Sequence, residues 1–119
     1  MACTGFDQID PALFGELSFG LHPNIVTNLQ FERLMLQGMH RPSDGKPPTK
    51  VAFALCVGSR MMNKNKGEAY CCKIGCMTAI KQAMLLQKAL PNVEPWIFYQ
   101  DMRADGKGYE EFYAHRARP

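Results

Sequence analysis

Four cysteines, Cys56, Cys71, Cys72 and Cys76, fall within a 21-residue window of this chain and are its clearest capacity for chemistry. A thiolate is a nucleophile and a soft metal ligand. Four that converge suit an iron–sulfur cluster or a tetrahedral zinc ion. The absence of a C-x-x-C repeat weakens the zinc reading. A blander reading leaves them as small buried hydrophobes, a frequent role of free cysteine. Their crowding, with two of them adjacent, speaks against it.

Other chemistries find little here. Cys3 stands apart, and His22, His40 and His115 form no ligand spacing with one another. There is no Ser-His-Asp set, HExxH, phosphate-binding loop or GxGxxG turn. Asp101 and Asp105 follow an apolar stretch where dinucleotide folds keep a ribose-binding acid, but the Gly-rich turn that goes with it is missing.

The elements that must position the thiols can be read from pattern. Residues Val51 to Val57 are continuously apolar, which predicts a strand buried on both faces of a parallel sheet. A polar loop follows from Gly58 to Glu68, and then a helix from Met77 to Leu90. On that helix Met77, Ile80 and Met84 form one stripe, and Ala79, Ala83, Leu86 and Leu90 another. Pro91 stops it. Trp96–Tyr99 predicts a second strand and Gly108–Ala114 a last helix. Strand, loop, helix, strand is a βαβ unit of α/β class. Cys56 then ends the first strand and the other three cysteines open the helix, where doubly wound folds bind ligands. Cys72 and Cys76 share a helix face if the helix includes both, and a helix N-terminus favours thiolate over thiol. The 14 residues between Cys56 and Cys71 are long for such a loop, which points to function. Lys81 lies on the apolar Met77–Ile80–Met84 side; such a lysine usually snorkels to solvent, but near a cofactor it supplies positive charge.

The first half is less regular. Thr4 to Gly20 has no sustained period and reads as an irregular segment. Asn28 is the expected N-cap of a helix whose apolar face is Phe31, Leu34 and Met35, and Gly38 is its expected end. Arg41 to Thr49 is a turn-rich linker. The expected division is therefore residues 1–49, an irregular segment with helix and linker, and residues 50–119, the βαβ unit. The chain has 119 residues, is 46% hydrophobic and 21% charged, and carries a net charge of +3 with scattered basic residues. That balance argues against disorder and against a nucleic-acid surface. The short basic stretch Lys64-Asn65-Lys66 reads as a solvated loop tip. No window has the apolar length of a bilayer span, and Met1–Asp10 does not read as a secretory leader. Five cysteines in that setting imply a reducing cytoplasm, where thiols serve metals or catalysis rather than disulfides.

Several strings then resemble a known family. They are Val51-Ala52-Phe53, Cys56-Val57-Gly58-Ser59-Arg60, Tyr70-Cys71, Cys76-Met77, Ala79-Ile80-Lys81, Phe98-Tyr99 and Asp101-Met102-Arg103. Gly106 to Tyr113 and the upstream Thr4-Gly5-Phe6-Asp7, Pro23 to Thr27, Phe31-Glu32-Arg33 and Arg41 to Lys46 add to them. Together they resemble the A-type iron–sulfur flavoprotein subunit of heterodisulfide reductases over nearly the whole chain. The resemblance implies a partial Rossmann-like, thioredoxin-reductase-like fold, with residues 1–49 corresponding to part of an FAD-binding domain. It implies cytoplasmic complexes of anaerobes in which a flavin splits electron pairs between a heterodisulfide and ferredoxin. The chain matches an internal piece of that flavoprotein without its FAD fingerprint, so FAD is expected to be shared with or supplied by the rest of a complex.

By position Cys56, Cys71 and Cys76 match three family cluster ligands. Where the family has an adjacent cysteine pair, Gly75 precedes Cys76 here. Either Cys72 is the fourth ligand, or the cluster has three thiolates and one labile iron. Lys81 matches a family lysine on the reactive side of the flavin, and Thr4-Gly5 resembles a turn beside FAD. The expected function is an electron-transfer module relaying electrons between a [4Fe–4S] cluster and FAD. The alternative is a zinc-stabilised docking module. A lone βαβ unit leaves apolar surface that needs cover, so a partner chain or self-association is expected.

Overall fold

The computed structural model of the chain describes residues 1–4, 6–63 and 65–116. Two single-turn 3₁₀ helices, Pro11–Leu13 and Gly15–Leu17, precede helix α1 (Asn28–Leu36). Strand β1 (Lys50–Ala54), helix α2 (Gly75–Ala89), strand β2 (Glu94–Phe98) and helix α3 (Tyr109–Arg116) follow. The fold is mixed α/β with a two-stranded parallel sheet, the βαβ unit that the pattern predicts, and is compatible with the partial Rossmann-like fold that the resemblance implies.

Helix α1 starts at a reciprocal cap. The Thr27 hydroxyl accepts from the Gln30 N–H at 3.2 Å while the Gln30 side-chain oxygen accepts from the Thr27 N–H at 2.9 Å. Two otherwise orphaned donors are satisfied at once, an arrangement contributing about 1 kcal/mol. The N-cap is therefore Thr27 and not Asn28, because Thr27 has Gln30 three residues on to complete the box. The helix ends as expected beside Gly38. Its φ of 90° lets the Gly38 N–H reach the Met35 carbonyl at 3.3 Å and the Met39 N–H reach that of Leu34 at 2.9 Å.

β1 and β2 run parallel with Lys50 opposite Glu94, Ala52 opposite Trp96 and Ala54 opposite Phe98. Both strands alternate exposed and half-buried residues. Val51, Phe53 and Ile97 face the helices, whereas Ala52, Ala54, Trp96 and Phe98 lie on an open face. The expectation of a strand buried on both faces thus fails here: helices cover one side alone. The strand is also shorter than the apolar run, because Leu55 carries the ladder one bond further, to the Phe98 carbonyl at 3.0 Å, and Cys56 then turns away.

Helix α2 begins at Gly75, two residues before the expected Met77, and buries Cys76, Met77, Ala79, Ile80, Ala83 and Leu86. Spacings of three and four put these on one broad face. Leu86, fully buried, joins Phe31, Met39 and Val93, and Phe31 meets Phe53 edge-on with centroids 5.3 Å apart. A second apolar group gathers Cys76, Met77 and Ile80 with Leu55, Ile97 and Phe112. The N-terminal segment is irregular but anchored. Phe14 is buried, and it lies with Ile9 over Gly58 at the start of the cysteine loop. Among the described residues, no helix is long and apolar enough to cross a membrane.

Candidate metal centre

The four cysteines come together at the carboxyl end of β1, where they line one small cleft. Cys56 follows the strand with φ of 61°, in the left-handed region. The loop after it closes on itself. Glu68 N–H donates to the Gly58 carbonyl at 2.9 Å, Met61 N–H to that of Glu68 at 2.9 Å, and Arg60 N–H to that of Tyr70 at 3.0 Å. These bonds bring Cys71 back beside Cys56 despite the long excursion. Gly58 is buried with φ of 81°, and a Cβ on it would lie 2.8 Å from Ile9 Cδ1. Glycine there lets the N-terminal segment press directly on the base of the loop.

Cys71 and Cys72 sit in the turn before α2, and Cys76 is the second residue of the helix. Cys72 and Cys76 therefore share no helix face, since the helix starts between them. The Cys71 sulfur accepts from the Lys73 N–H at 3.3 Å, and the Cys72 sulfur from the Gly75 N–H at 3.3 Å. Cys76 is buried, its Sγ 4.0 Å from the Asp101 carbonyl. Cys56, Arg60 and Lys73 are three of five non-glycine residues with positive φ among the described residues. Each such conformation costs on the order of 1 kcal/mol, and strain of this kind concentrates at functional sites.

Basic groups rim the cleft. Arg60, Lys73 and Arg103 all contribute to its lining. Arg60 donates to the Asp101 carboxylate, which also faces Arg103 at 3.7 Å. The Asp101 carboxylate beside it, and more weakly the Cys56 sulfur, hold the Arg60 guanidinium above its ordinary range. Arg60 and Asp101 were not legible as partners, for they are 41 residues apart. Asp101 is committed to two arginines, which leaves the ribose-acid reading without support.

Among the described residues, no three His, Cys, Asp or Glu side chains are grouped so as to hold one metal ion. The four thiols line one cleft together. Soft thiolate donors, backbone N–H groups aimed at sulfur and a basic rim are the surroundings an anionic iron–sulfur cluster takes. The donor set fits that group.

Lys81 lies away from these thiols. Its side chain is exposed and donates to Glu32 Oε1 of α1 at 2.7 Å. Gln82, 1% exposed, donates to the same carboxylate oxygen and to the Asn28 carbonyl, both at 3.2 Å. Lys81 is thus on the solvent side of α2 and not among the apolar side chains that sequence placed beside it. Thr4 is exposed and on no wall of the cleft, and Gly5 and Lys64 lie outside the described residues. Cys3 is exposed, and His22 accepts from the Asn24 N–H at 3.3 Å.

No family model matches the chain. Curated proteins do. The chain is 42% identical over 120 residues to an A-type iron–sulfur subunit of the CoB–CoM heterodisulfide reductase of Methanopyrus kandleri, covering 95% of this chain and 18% of that protein. It is 42% identical over 119 residues to the corresponding iron–sulfur subunit of Methanocaldococcus jannaschii, with the same coverage. It is 38% identical over 116 residues to the A-type subunit of the ferredoxin/F420H2-dependent CoB–CoM heterodisulfide reductase of Methanosarcina acetivorans, covering 92% of this chain and 14% of that one. The chain therefore spans less than a fifth of the length of these relatives. On identity sustained along almost all of its residues, it corresponds to one segment of the A-type subunits of the heterodisulfide reductase family.

Proposed function

We propose that this chain is an electron-transfer module of a heterodisulfide-reductase-type oxidoreductase, holding a [4Fe–4S] cluster in the cysteine cleft and exchanging electrons with FAD supplied by the rest of a complex. The observation that carries the reading is the convergence of Cys56, Cys71, Cys72 and Cys76 on one basic-rimmed cleft. Cys56, Cys71 and Cys76 are ligands on this reading, and Cys72 completes the thiol set. A cluster there would supply one-electron storage.

The chain's own groups prepare the site. The Lys73 and Gly75 N–H groups direct positive charge at two sulfurs. The start of α2 adds the partial charge of its unpaired N–H groups, which favours thiolates. Arg60 and Arg103 offset negative charge, and Asp101 holds both arginines in place. A mononuclear zinc site needs four donors about 2.3 Å from one point, whereas a polynuclear core spaces its thiolates apart. The absence of a C-x-x-C repeat weakens the zinc alternative.

On the same reading residues 1–49 form an edge of a flavin domain, with Thr4 and Gly5 beside FAD and Lys81 toward its reactive side. Residues 50–119 are the cluster-bearing unit. The module works in the cytoplasm of an anaerobe, docked on other subunits. The open sheet face with Trp96 and Phe98 supports such docking, because parallel sheets are ordinarily covered on both sides. Anaerobic purification followed by iron, sulfide and zinc analysis tests the proposal. A brown chain bleached by dithionite is expected. A folded chain free of iron and sulfide overturns it, and one zinc per chain favours the docking module.

A further inference from the structure

We infer that Cys72 is the fourth thiolate of the cluster and that Gly75 is the position that admits it; the inference rests on the cluster reading above. Gly75 opens α2, and the residue before it, Ile74, offers no side-chain cap. The Gly75 N–H, one of the first N–H groups of α2 that lack a partner within the helix, is taken by the Cys72 sulfur at 3.3 Å. A Cβ built on Gly75 would lie 3.1 Å from that sulfur, and apart from its chain neighbours and the backbone of its own helix no other heavy atom comes within 4 Å of it. The sulfur therefore crowds the space that a side chain at position 75 would enter.

Glycine is not needed here for its backbone freedom. Gly75 is not among the residues with positive φ, and its conformation is the helical one that any residue adopts. What glycine supplies is room for a neighbour's sulfur. Cys71 turns to a different donor, the Lys73 N–H, so the adjacent cysteines occupy separate seats on the cleft. Cys72 is the exposed member of the four, which puts its ligand position on the solvent side. Without its thiolate, the iron at that corner is open to loss.

The test uses the full chain prepared anaerobically with its cluster. After mild ferricyanide oxidation the unaltered chain is expected to keep about four irons per chain, whereas Cys72→Ala falls to about three and gives the paramagnetic signal of a three-iron cluster. Gly75→Val, which intrudes on the sulfur, is expected to lose iron in the same way. Cys72→Ala combined with Gly75→Cys, which offers a thiol to the same seat, is expected to restore retention. A Cys72→Ala chain that holds its irons overturns Cys72 as a ligand. Iron loss in Cys72→Ala with none in Gly75→Val overturns the role of Gly75. Iodoacetamide labelling of the unaltered chain gives a readout that needs no variant to fold. Cys72 is expected to be protected while the cluster is present and labelled once a chelator removes iron, with exposed Cys3 labelled in both. Rapid labelling of Cys72 in the loaded chain overturns the inference. An unaltered chain that purifies without iron and sulfide overturns the cluster reading itself, a separable failure.

Discussion

Lys81 on α2 donates to the Glu32 carboxylate on α1 at 2.7 Å, tying together two helices whose contact residues are 49 positions apart. The lysine and then the buried Gln82 amide hold the Glu32 carboxyl below its ordinary value of 4.5. A depressed folded value means that the contribution is present above the unfolded value and lost as pH falls through the folded one. Acidification through and below the ordinary carboxylate value of 4.5 should therefore loosen the α1–α2 contact. Denaturant midpoints measured across that range should fall less in Glu32→Gln than in the unaltered chain. Both side chains are largely exposed, so solvent and salt screen the effect to on the order of 0.5 kcal/mol.

Arg60 joins the thiol cleft to Asp101. Reduction adds negative charge to a cluster, and a neighbouring cation favours that state. On the proposed cluster reading, Arg60→Gln should shift the reduction potential in the negative direction, by up to about 59 mV, a tenfold change in population for one electron. Arg60→Lys keeps the charge and should shift it less. A dithionite titration followed by visible absorbance and paramagnetic resonance measures both; an unchanged potential in Arg60→Gln would show that solvent screens the guanidinium.

Gly58 lies beneath Ile9 and Phe14, with Phe14 Cε2 3.2 Å from where a Cβ would stand. Gly58→Ala combines that clash with a positive φ and should destabilise the chain by about 1–3 kcal/mol. The N-terminal segment should become the first site of limited proteolysis, and iron content should fall with it. Equal protease resistance in the two chains would mean that the segment does not brace the loop.

The open face of the sheet carries Trp96, 51% exposed, and Phe98, 60% exposed, opposite Ala52 and Ala54. An uncovered aromatic patch of this kind drives association. Sizing runs over a concentration series should show self-association in the absence of other subunits. Trp96→Glu with Phe98→Glu should shift the chain toward monomer by roughly tenfold or more in dissociation constant, the scale of losing two aromatic anchors. An unaltered chain that remains monomeric at high concentration argues that this face waits for another partner.

Much that was legible in the residues is local physics. The apolar run from Val51, the spacing of Ala79, Ala83 and Leu86, the stop at Pro91 and the glycine turn after α1 each depend on neighbours within about one helical turn or one strand. They were enough for the α/β class and for the placement of cysteines at a strand end and a helix start. Thr27 and Asn28 are both good caps, and the choice between them rested on Gln30, three residues beyond Thr27.

Sequence by itself determined that the thiols are gathered along the chain and which elements flank them. Tertiary structure decided the rest: that Arg60 meets Asp101, that Lys81 turns to Glu32, and that Phe14 and Ile9 seal Gly58. Those pairs are joined by packing between distant elements, and no periodicity within one element encodes them. The starting point of α2 belongs to both levels. A shift of two residues in where the helix begins separates Cys72 from Cys76 and places its sulfur against Gly75. Helix ends are set by whichever acceptor satisfies the first free N–H groups, and here that acceptor is a cysteine brought there by a turn.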